Sequence, residues 1–228
     1  AGLAAIARSL APGGGPRGEF VSRVLLQAIR RGSLRPGERV REEDVARSLN
    51  VSRTPVREAI QLLTSRRLVE VAAGRGIVVA ELSAQQTLDL YAMREVLEGA
   101  AARFAAQHAA PGELAVMRQL LDDFSEAAAD APRLAHVNRA LHQTICEAAR
   151  NRYVQEALDN RDDALSLLRN TTFSLPDRHG PADREHRAIV AAIAARDADK
   201  AEAAARAHIR EAQRARLRLL KGIDRAGR

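Results

Sequence analysis

The chain of 228 residues has few aromatic residues, one cysteine and no long apolar run. Aromatic residues make up 3% of it, tryptophan is absent, and the single cysteine is Cys146. One cysteine cannot form an internal disulfide, which is typical of proteins in a reducing compartment, and we predict a buried thiol there. Because no run of about 18 apolar residues occurs, the sequence predicts no membrane span and a cytoplasmic location.

Positive charge, in contrast, is abundant and unevenly placed. The 36 Lys and Arg residues outnumber the 29 Asp and Glu residues, so the net charge is +7. Residues 1–80 contain 14 arginines, no lysine and 7 acids, so the whole surplus lies there and the remainder is neutral. A basic segment gains affinity for nucleic-acid phosphates by releasing their counterions. The asymmetry therefore favours DNA binding by the first third of the chain.

A helix-turn-helix pattern lies in this basic segment. A short helix is predicted over 42–49, followed by a tight turn at Asn50 and a second helix with Pro55 in its first turn. Ser52 suits the N-cap of the second helix. An ordinary amphipathic surface helix is the alternative that this helix alone leaves open. In a recognition helix, the side chains that project from its N-terminal end towards the major groove would be Arg53, Thr54 and Arg57.

The flanking segments complete a winged helix-turn-helix. Upstream, residues 20–31 have apolar side chains at helical spacing. Downstream, the β-branched runs 68–71 and 77–79 are joined by a glycine-rich turn, which predicts a hairpin. Arg75 stands at its tip, where a wing would lie on the DNA backbone.

Residues 20–80 resemble the DNA-binding domain of the GntR superfamily of bacterial transcription regulators, most specifically in the run Val51–Ala59. The resemblance implies that bases and nearby phosphates are contacted by Arg53, Thr54 and Arg57, and the DNA backbone by Ser52, Arg75 and Gly76. Some relatives have a basic residue early in the preceding helix. Glu43 holds that place here, so we expect no DNA contact from it.

The remainder of the chain predicts only helices. Residues 1–19 are expected to be a flexible arm, 20–80 the winged helix-turn-helix domain, and 81–228 an all-α antiparallel bundle for effector binding and oligomerisation. The predicted fold class is therefore mostly α, with one small β-hairpin. The helices of the bundle are expected at 83–108, 112–129, 133–149, 151–172, 183–195 and 199–221.

Three histidines and an asparagine in this bundle have a spacing that suits a metal site. Asn138 and His142 are four residues apart and share one helix face. His186 and His208 each lie 11 residues from the joint near Asp197, which places them at the same level of an antiparallel helix pair. Neutral imidazoles suit divalent zinc or nickel. Three unrelated histidines are the alternative that the spacing leaves open.

The second half is also similar to the FCD subgroup (FadR C-terminal-domain-like) of GntR regulators, in segments 94–101, 138–142, 185–187 and 208–209. Many members hold a metal with one Asp and three His, which implies ligands at His142, His186 and His208. Asn138 stands at the Asp position, where a neutral amide oxygen is a weaker ligand. The resemblance further implies a small organic acid as effector, with Arg94 clamping its carboxylate. A salt bridge from Arg94 to Glu98 is the alternative.

Together these patterns predict a ligand-responsive transcription regulator, a repressor that binds a palindromic double-stranded operator as a homodimer. A small organic acid, held through a metal in the helical domain, would change its affinity for DNA. Two alternatives remain at this point. One is a metal-responsive regulator without an organic effector. The other is a metal-dependent helical-bundle enzyme, for which no general base stands out near the histidines.

Overall fold

The computed structural model describes residues 2–10, 16–128, 130–168 and 170–226. Within these residues the chain forms ten α-helices, one short 3-10 helix and one two-stranded antiparallel sheet. The elements group into two compact units, Ala1–Ser83 with Asp162–Arg169, and Ala84–Arg161 with Asn170–Arg228. The predicted fold class, a winged helix-turn-helix followed by an all-α bundle, is confirmed.

The first unit packs three amphipathic helices around one apolar core. Val21, Leu25, Val56 and Leu63 are among the fully buried side chains of this core. Asn50 closes the turn between its second and third core helices with φ 52°, a left-handed conformation that asparagine adopts more readily than most residues. The elements of this unit are α1 (Leu3–Ser9), α2 (Arg17–Arg30), α3 (Glu42–Leu49), α4 (Arg53–Ser65), β1 (Val69–Ala72) and β2 (Gly76–Val79).

The hairpin β1–β2 forms the wing. Its register pairs Val69 with Val79 and Ala72 with Gly76, and an additional bridge joins Arg39 to Val78. Gly76 has φ +74°, a region in which a Cβ atom would be strained. The glycine therefore allows the sharp turn that presents the preceding residue, Arg75, at the tip.

The amino-terminal segment differs from the flexible arm expected over residues 1–19. Residues Leu3–Ser9 form α1, and Ile6 is fully buried against Val24 and Ala28 of α2. Burial of this apolar side chain gives the helix a tertiary anchor that composition alone does not show. Helix α2 also begins earlier than predicted, at Arg17. Residues 11–15 lie outside the described residues.

The second unit consists of the helices predicted for it, with shifts of four or more residues at three ends. The last helix continues to Ala226 rather than 221. The fourth helix ends at Ser166 rather than near 172, and the fifth begins at His179 rather than 183. None of the described helices is long and apolar enough to cross a bilayer. The helices are α5 (Ala84–His108), α6 (Pro111–Glu126), α7 (Ala131–Ala148), α8 (Arg152–Ser166), α9 (His179–Ala194) and α10 (Ala198–Ala226), with a 3-10 helix at Thr172–Ser174.

Helices α5 and α10 run antiparallel and approach each other closely. Gly99 faces Arg206, and a Cβ atom at position 99 would lie 2.7 Å from Arg206 Cγ. Further along, Arg206 and Arg210 both donate to Glu95 Oε1, at 3.2 and 2.7 Å. Small side chains at the contact and ion pairs along its edge thus hold the α5–α10 pair.

The predicted domain division at residue 80 misses one segment, because the end of α8 belongs to the first unit. Leu167 packs into the core of that unit. Asp163 is buried and accepts from Arg30 Nη2 at 2.8 Å and from Arg66. Two guanidinium groups compensate the buried charge of this carboxylate. Because these partners are far away in the sequence, pattern analysis cannot assign the end of α8 to the first unit.

Candidate functional site

The N-terminal end of α4 presents polar side chains to solvent. Arg53 and Arg57 have side chains that are 52% and 60% exposed, and Thr54 is exposed between them. The opposite face of the helix, with Val56 among its buried residues, packs into the core. Ser52 occupies the N-cap position, but its side chain makes no capping hydrogen bond. The structure therefore leaves all four side chains able to meet a ligand outside the domain.

Two carboxylates at the start of α3 hold the arginines of α4. Glu42 Oε2 accepts from Arg57 Nε at 2.9 Å and from Arg53 Nη2 at 3.2 Å. Glu43 Oε1 accepts from Arg53 Nη1 at 3.2 Å. The hydrogen bond from Arg57, supported by Arg53, lowers the pKa of the Glu42 carboxyl. These contacts orient both guanidinium groups in the free protein.

The wing provides a second exposed surface in the same unit. Arg75 is exposed at the tip of the hairpin, and Gly76 follows at the start of β2. Arg75 N donates to Ala72 O at 3.0 Å and closes the turn. The predicted backbone-contacting residues are thus placed on an exposed loop.

In the second unit, the structure brings together His142 of α7, His186 of α9 and His208 of α10. The distances between ring centroids are 5.6 Å for His142 and His186, 5.0 Å for His142 and His208, and 4.6 Å for His186 and His208. One ring nitrogen from each histidine lies within 4.8 Å of the other two, and all three side chains are buried. Equal distance from the α9–α10 joint has brought His186 and His208 to one level, as the spacing predicts.

Several polar atoms around these rings have no hydrogen-bond partner among the described residues. Among them are His142 Nε2 and both ring nitrogens of His186, and Asn138 Oδ1, one turn before His142 on α7, also has no partner. Buried polar atoms without a partner are rare in folded proteins and call for an explanation. Imidazole nitrogens and an amide oxygen are donors suited to a divalent transition metal. The residues present therefore fit a metal ion.

Two carboxylates contact the far side of these imidazoles. His142 Nδ1 lies 2.6 Å from Glu98 Oε2, and His208 Nδ1 lies 2.7 Å from Glu185 Oε2. Arg178 donates to both oxygens of Glu185, at 2.8 and 2.6 Å. A carboxylate on Nδ1 fixes the ring and leaves Nε2 to face a ligand, which is the usual support for a metal-binding histidine.

Glu98 is also the centre of a buried ion-pair cluster. Arg94 Nε donates to Glu98 Oε1 at 2.8 Å, and Arg161 Nη1 lies 3.3 Å from the same oxygen. Burial alone would raise the pKa of the Glu98 carboxyl, but the charges of Arg94 and Arg161 outweigh it and hold that pKa well below its usual value. The Arg94 guanidinium carbon also lies 4.7 Å from the centroid of the Tyr91 ring. The salt-bridge alternative for Arg94 is therefore realised, and its role towards an effector stays a prediction.

Burial keeps two of the clustered histidines neutral. It lowers the pKa of His208 to about 4, against the opposing effect of Glu185. It lowers the pKa of His186 still more clearly, with help from the neighbouring His208 and His142. A neutral imidazole has a free lone pair for a metal, so these shifts suit ligation. Cys146, as predicted, is a buried thiol.

Two known protein families match the chain. The family described as "FCD domain" matches residues 89–211, and "Bacterial regulatory proteins, gntR family" matches residues 17–79. The chain belongs to the GntR family of bacterial regulators and carries an FCD domain.

Relatives of this GntR regulator include the Uxu operon transcriptional regulator of Escherichia coli strain K12, 31% identical over 83% of this chain and 82% of the relative. A probable D-xylose utilization operon transcriptional repressor of Paenarthrobacter nicotinovorans is 30% identical over 81% and 82%. A solved GntR structure from Rhodococcus sp. RHA1 matches with a TM-score of 0.75 and 27% identity, over 88% of this chain and 97% of that one. These proteins are named as transcriptional regulators, one of them as a probable repressor, so the enzyme alternative is set aside.

Sequence reasoning missed most of the residues that support the sites of this GntR regulator. The sequence does not indicate the contact of Glu98 with His142 or the contact of Glu185 with His208. The available signal was weak, namely a glutamate directly before His186 in the sequence. The other histidines are not part of the cluster of three. His179, for example, stacks on Phe124 at 5.3 Å between ring centroids.

Proposed function

We propose that this GntR regulator is a repressor that binds a palindromic operator as a homodimer and responds to a small organic acid in its FCD domain. One observation carries the proposal. A buried cluster of three histidines with unpartnered nitrogens occurs in the same chain as an exposed recognition helix. The first is a place for a ligand and the second a place for DNA, which is the pairing that a ligand-responsive regulator needs.

The DNA side of the proposal rests on the exposed end of α4. Arg53 and Arg57 can each bind guanine O6 and N7, and Thr54 can meet a thymine methyl group or a phosphate. Ser52 and the wing residues Arg75 and Gly76 would contact the DNA backbone. A two-fold operator, with half-sites about 34–36 Å apart, would accept one recognition helix from each protomer.

The ligand side rests on the histidine cluster. His142, His186 and His208 would hold a divalent metal, zinc or nickel, with Asn138 Oδ1 as a fourth ligand. A bound ion would supply a positive centre that accepts a carboxylate oxygen. All four protein donors are neutral, so they leave the charge of the ion uncompensated and favour an anionic effector.

Arg94 is the predicted carboxylate clamp, and its position in the buried cluster suits an indirect role as well. Its guanidinium balances Glu98, which in turn contacts His142. An acid that draws Arg94 away from Glu98 would alter the support of His142. Effector binding would then shift the population between states of different operator affinity.

The proposal can be tested with metal-depleted protein and an operator duplex selected from a random-sequence library. Binding would be measured by fluorescence anisotropy with zinc or nickel alone, with a panel of organic acids alone, and with both. We expect the largest loss of operator affinity when acid and metal are present together. A matched pair of variants, His142→Gln in the cluster and the exposed His136→Gln on the same helix, separates the site from general effects. Operator affinity that no acid changes would contradict the proposal.

A second candidate is a metal-responsive regulator without an organic effector. The observation that favours it is the preassembled state of the cluster, since Glu98 and Glu185 already hold two of the imidazoles. In the same experiment, this candidate predicts that metal alone changes operator affinity to the full extent and that acids add nothing.

A further inference from the structure

Helix α5 of the FCD domain has an apolar face that is exposed to solvent. Met93 is 37% exposed and Val96 is 59% exposed, and the neighbouring Ala92 is exposed as well. The opposite side of the same helix is buried, with Glu98 and Ala101 among its residues. A helix at a protein surface normally has one apolar and one polar side, and a helix that is apolar on both sides is usually covered on both. We therefore expect a second covering surface on this face.

The residues along this face have a self-complementary order about Val96. Four residues away on either side lie the alanines Ala92 and Ala100. Seven residues away lie Asp89 on one side and Arg103 on the other. Steps of three and four residues return to the same face of a helix, so all these positions lie together. The whole series is Gln85, Asp89, Ala92, Val96, Ala100, Arg103 and Gln107.

This order fits a second copy of the same chain in one orientation. When two α5 helices pack antiparallel about a two-fold axis at Val96, each residue meets the one that lies equally far on the other side of the axis. Asp89 of one copy then faces Arg103 of the other at both ends of the contact, which are about 21 Å apart. A parallel pair would instead place like charges opposite each other, which is unfavourable. The charges therefore select the antiparallel pair.

Both charged residues can accept a partner from a second copy. Asp89 is exposed, and its Oδ1 accepts from Gln85 Nε2 on the same helix at 2.8 Å. Arg103 has a side chain that is 38% exposed, and it donates through Nη1 to Asp199 and, at 3.2 Å, to Glu202. A carboxylate has further lone pairs and a guanidinium has further N–H donors. An ion pair between the copies can therefore form while these contacts within one copy are kept.

We propose that the exposed face of α5 around Val96 is an interface between two copies of this chain, which pack antiparallel about a two-fold axis. The inference rests on the proposed homodimer and deepens it, because it names the residues that join the two protomers. An operator with two half-sites brings two copies together, so this interface makes their binding to the two half-sites cooperative.

A cysteine at position 96 tests the place of the axis. With helix axes about 8–10 Å apart, two Cα atoms that face each other across the axis lie about 4–5 Å apart, within the range of a disulfide. Val96→Cys should therefore form a cross-linked dimer when diamide oxidises its thiols, as seen on a non-reducing gel. Val116→Cys is the matched control, since Val116 is 50% exposed on α6, and the wild type shows the background from the buried Cys146. Cross-linking no faster than in Val116→Cys would overturn the proposal, as it would if part of the same chain covered this face.

Two charge reversals test the pairing at the ends of the contact. Asp89→Arg and Arg103→Glu should each raise the dissociation constant of the dimer about tenfold or more in analytical ultracentrifugation, because each homodimer then places like charges together. An equimolar mixture of the two variants should recover the dimer, since opposite charges face each other again. Circular dichroism checks that Arg103→Glu, which also loses its contacts with Asp199 and Glu202, is folded. A mixture that associates no better than either variant alone would refute the assignment.

The oligomeric state of the wild type separates this inference from the function on which it rests. If the wild type is a dimer, Asp89→Arg remains one and Val96→Cys does not cross-link, only the assignment of the interface is wrong. If the wild type is a monomer in solution and binds its selected operator as a single protomer, the proposed homodimer fails and the inference fails with it.

Discussion

The metal-free protein is expected to lose stability in mild acid, because its buried histidines stay neutral where the unfolded chain takes up protons. The pKa of His208 is about 4 in the folded protein, against an ordinary value of 6.5. Below about pH 6.5, the unfolded chain binds a proton at this residue and the folded chain does not, so the free energy of unfolding falls with the pH. The full difference corresponds to about 3 kcal/mol and is lost by about pH 4; about 2 kcal/mol of it is lost between about pH 7 and about pH 5.

His186 contributes in the same direction, since burial lowers its pKa as well. The carboxyl groups do not change the free energy of unfolding between about pH 7 and about pH 5. The pKa values of Glu98 and Glu185 are lowered from an ordinary value of 4.5, so their contribution is lost only at more acidic pH. A fall in the free energy of unfolding that occurs above about pH 5 is therefore caused by the buried imidazoles.

The assay is urea unfolding of chelator-treated protein at about pH 7, 6 and 5, followed by tyrosine fluorescence. Tyr91 and Tyr153 are the only tyrosines, and both lie in the FCD domain, so the signal reports on the unit that holds the cluster. His208→Gln should reduce the pH dependence by up to about 1.4 kcal/mol per pH unit, the value for one proton. The exposed His136→Gln should leave it unchanged. If His208→Gln retains the full pH dependence of the wild type, the reasoning from burial is refuted.

Four further variants test individual contacts in the two domains. Asn138→Asp should raise the affinity for zinc about tenfold or more, because it adds a charged oxygen where the amide oxygen has no partner. Competition calorimetry measures this affinity, and equal or weaker zinc binding by the variant would contradict the prediction. Arg57→Ala should weaken binding to the selected operator by about 1–3 kcal/mol. Glu42→Gln should lower the ratio of operator affinity to shuffled-duplex affinity, because it releases the two arginines that Glu42 orients. Anisotropy at several salt concentrations measures both, and an equal loss on both duplexes would mean that Arg57 contacts only phosphate. Phe124→Ala should lower the free energy of unfolding by about 3–5 kcal/mol, since the ring is fully buried against His186, and unchanged stability would argue against this packing.

The DNA-binding domain could be predicted from the sequence because its signals are local. Helical spacing, the turn at Asn50 and the run Val51–Ala59 all act over a few residues, and they place Arg53 and Arg57 on the exposed end of α4 without knowledge of the rest of the fold. The contacts of these arginines with Glu42 were not predictable, since they depend on the angle at which α3 packs against α4.

The histidine cluster could likewise be predicted from the sequence only in part. Spacing alone put Asn138 beside His142 and put His186 level with His208, because a helix and an antiparallel helix pair have regular geometry. Spacing could not identify Glu98 or Glu185 as the carboxylates that hold the rings, since those contacts join helices far apart in the sequence.

The sequence by itself determined the helix-turn-helix, the helices of the bundle and the three histidines that the structure brings together, because periodicity and motif are regular over short ranges. Only the tertiary structure decided which charges are buried together. It paired Asp163 with Arg30 in the first unit and brought Arg161 and His142 to Glu98 in the second. The physical reason is that the energy of a buried charge depends on every group packed around it, and those groups come from distant parts of the chain.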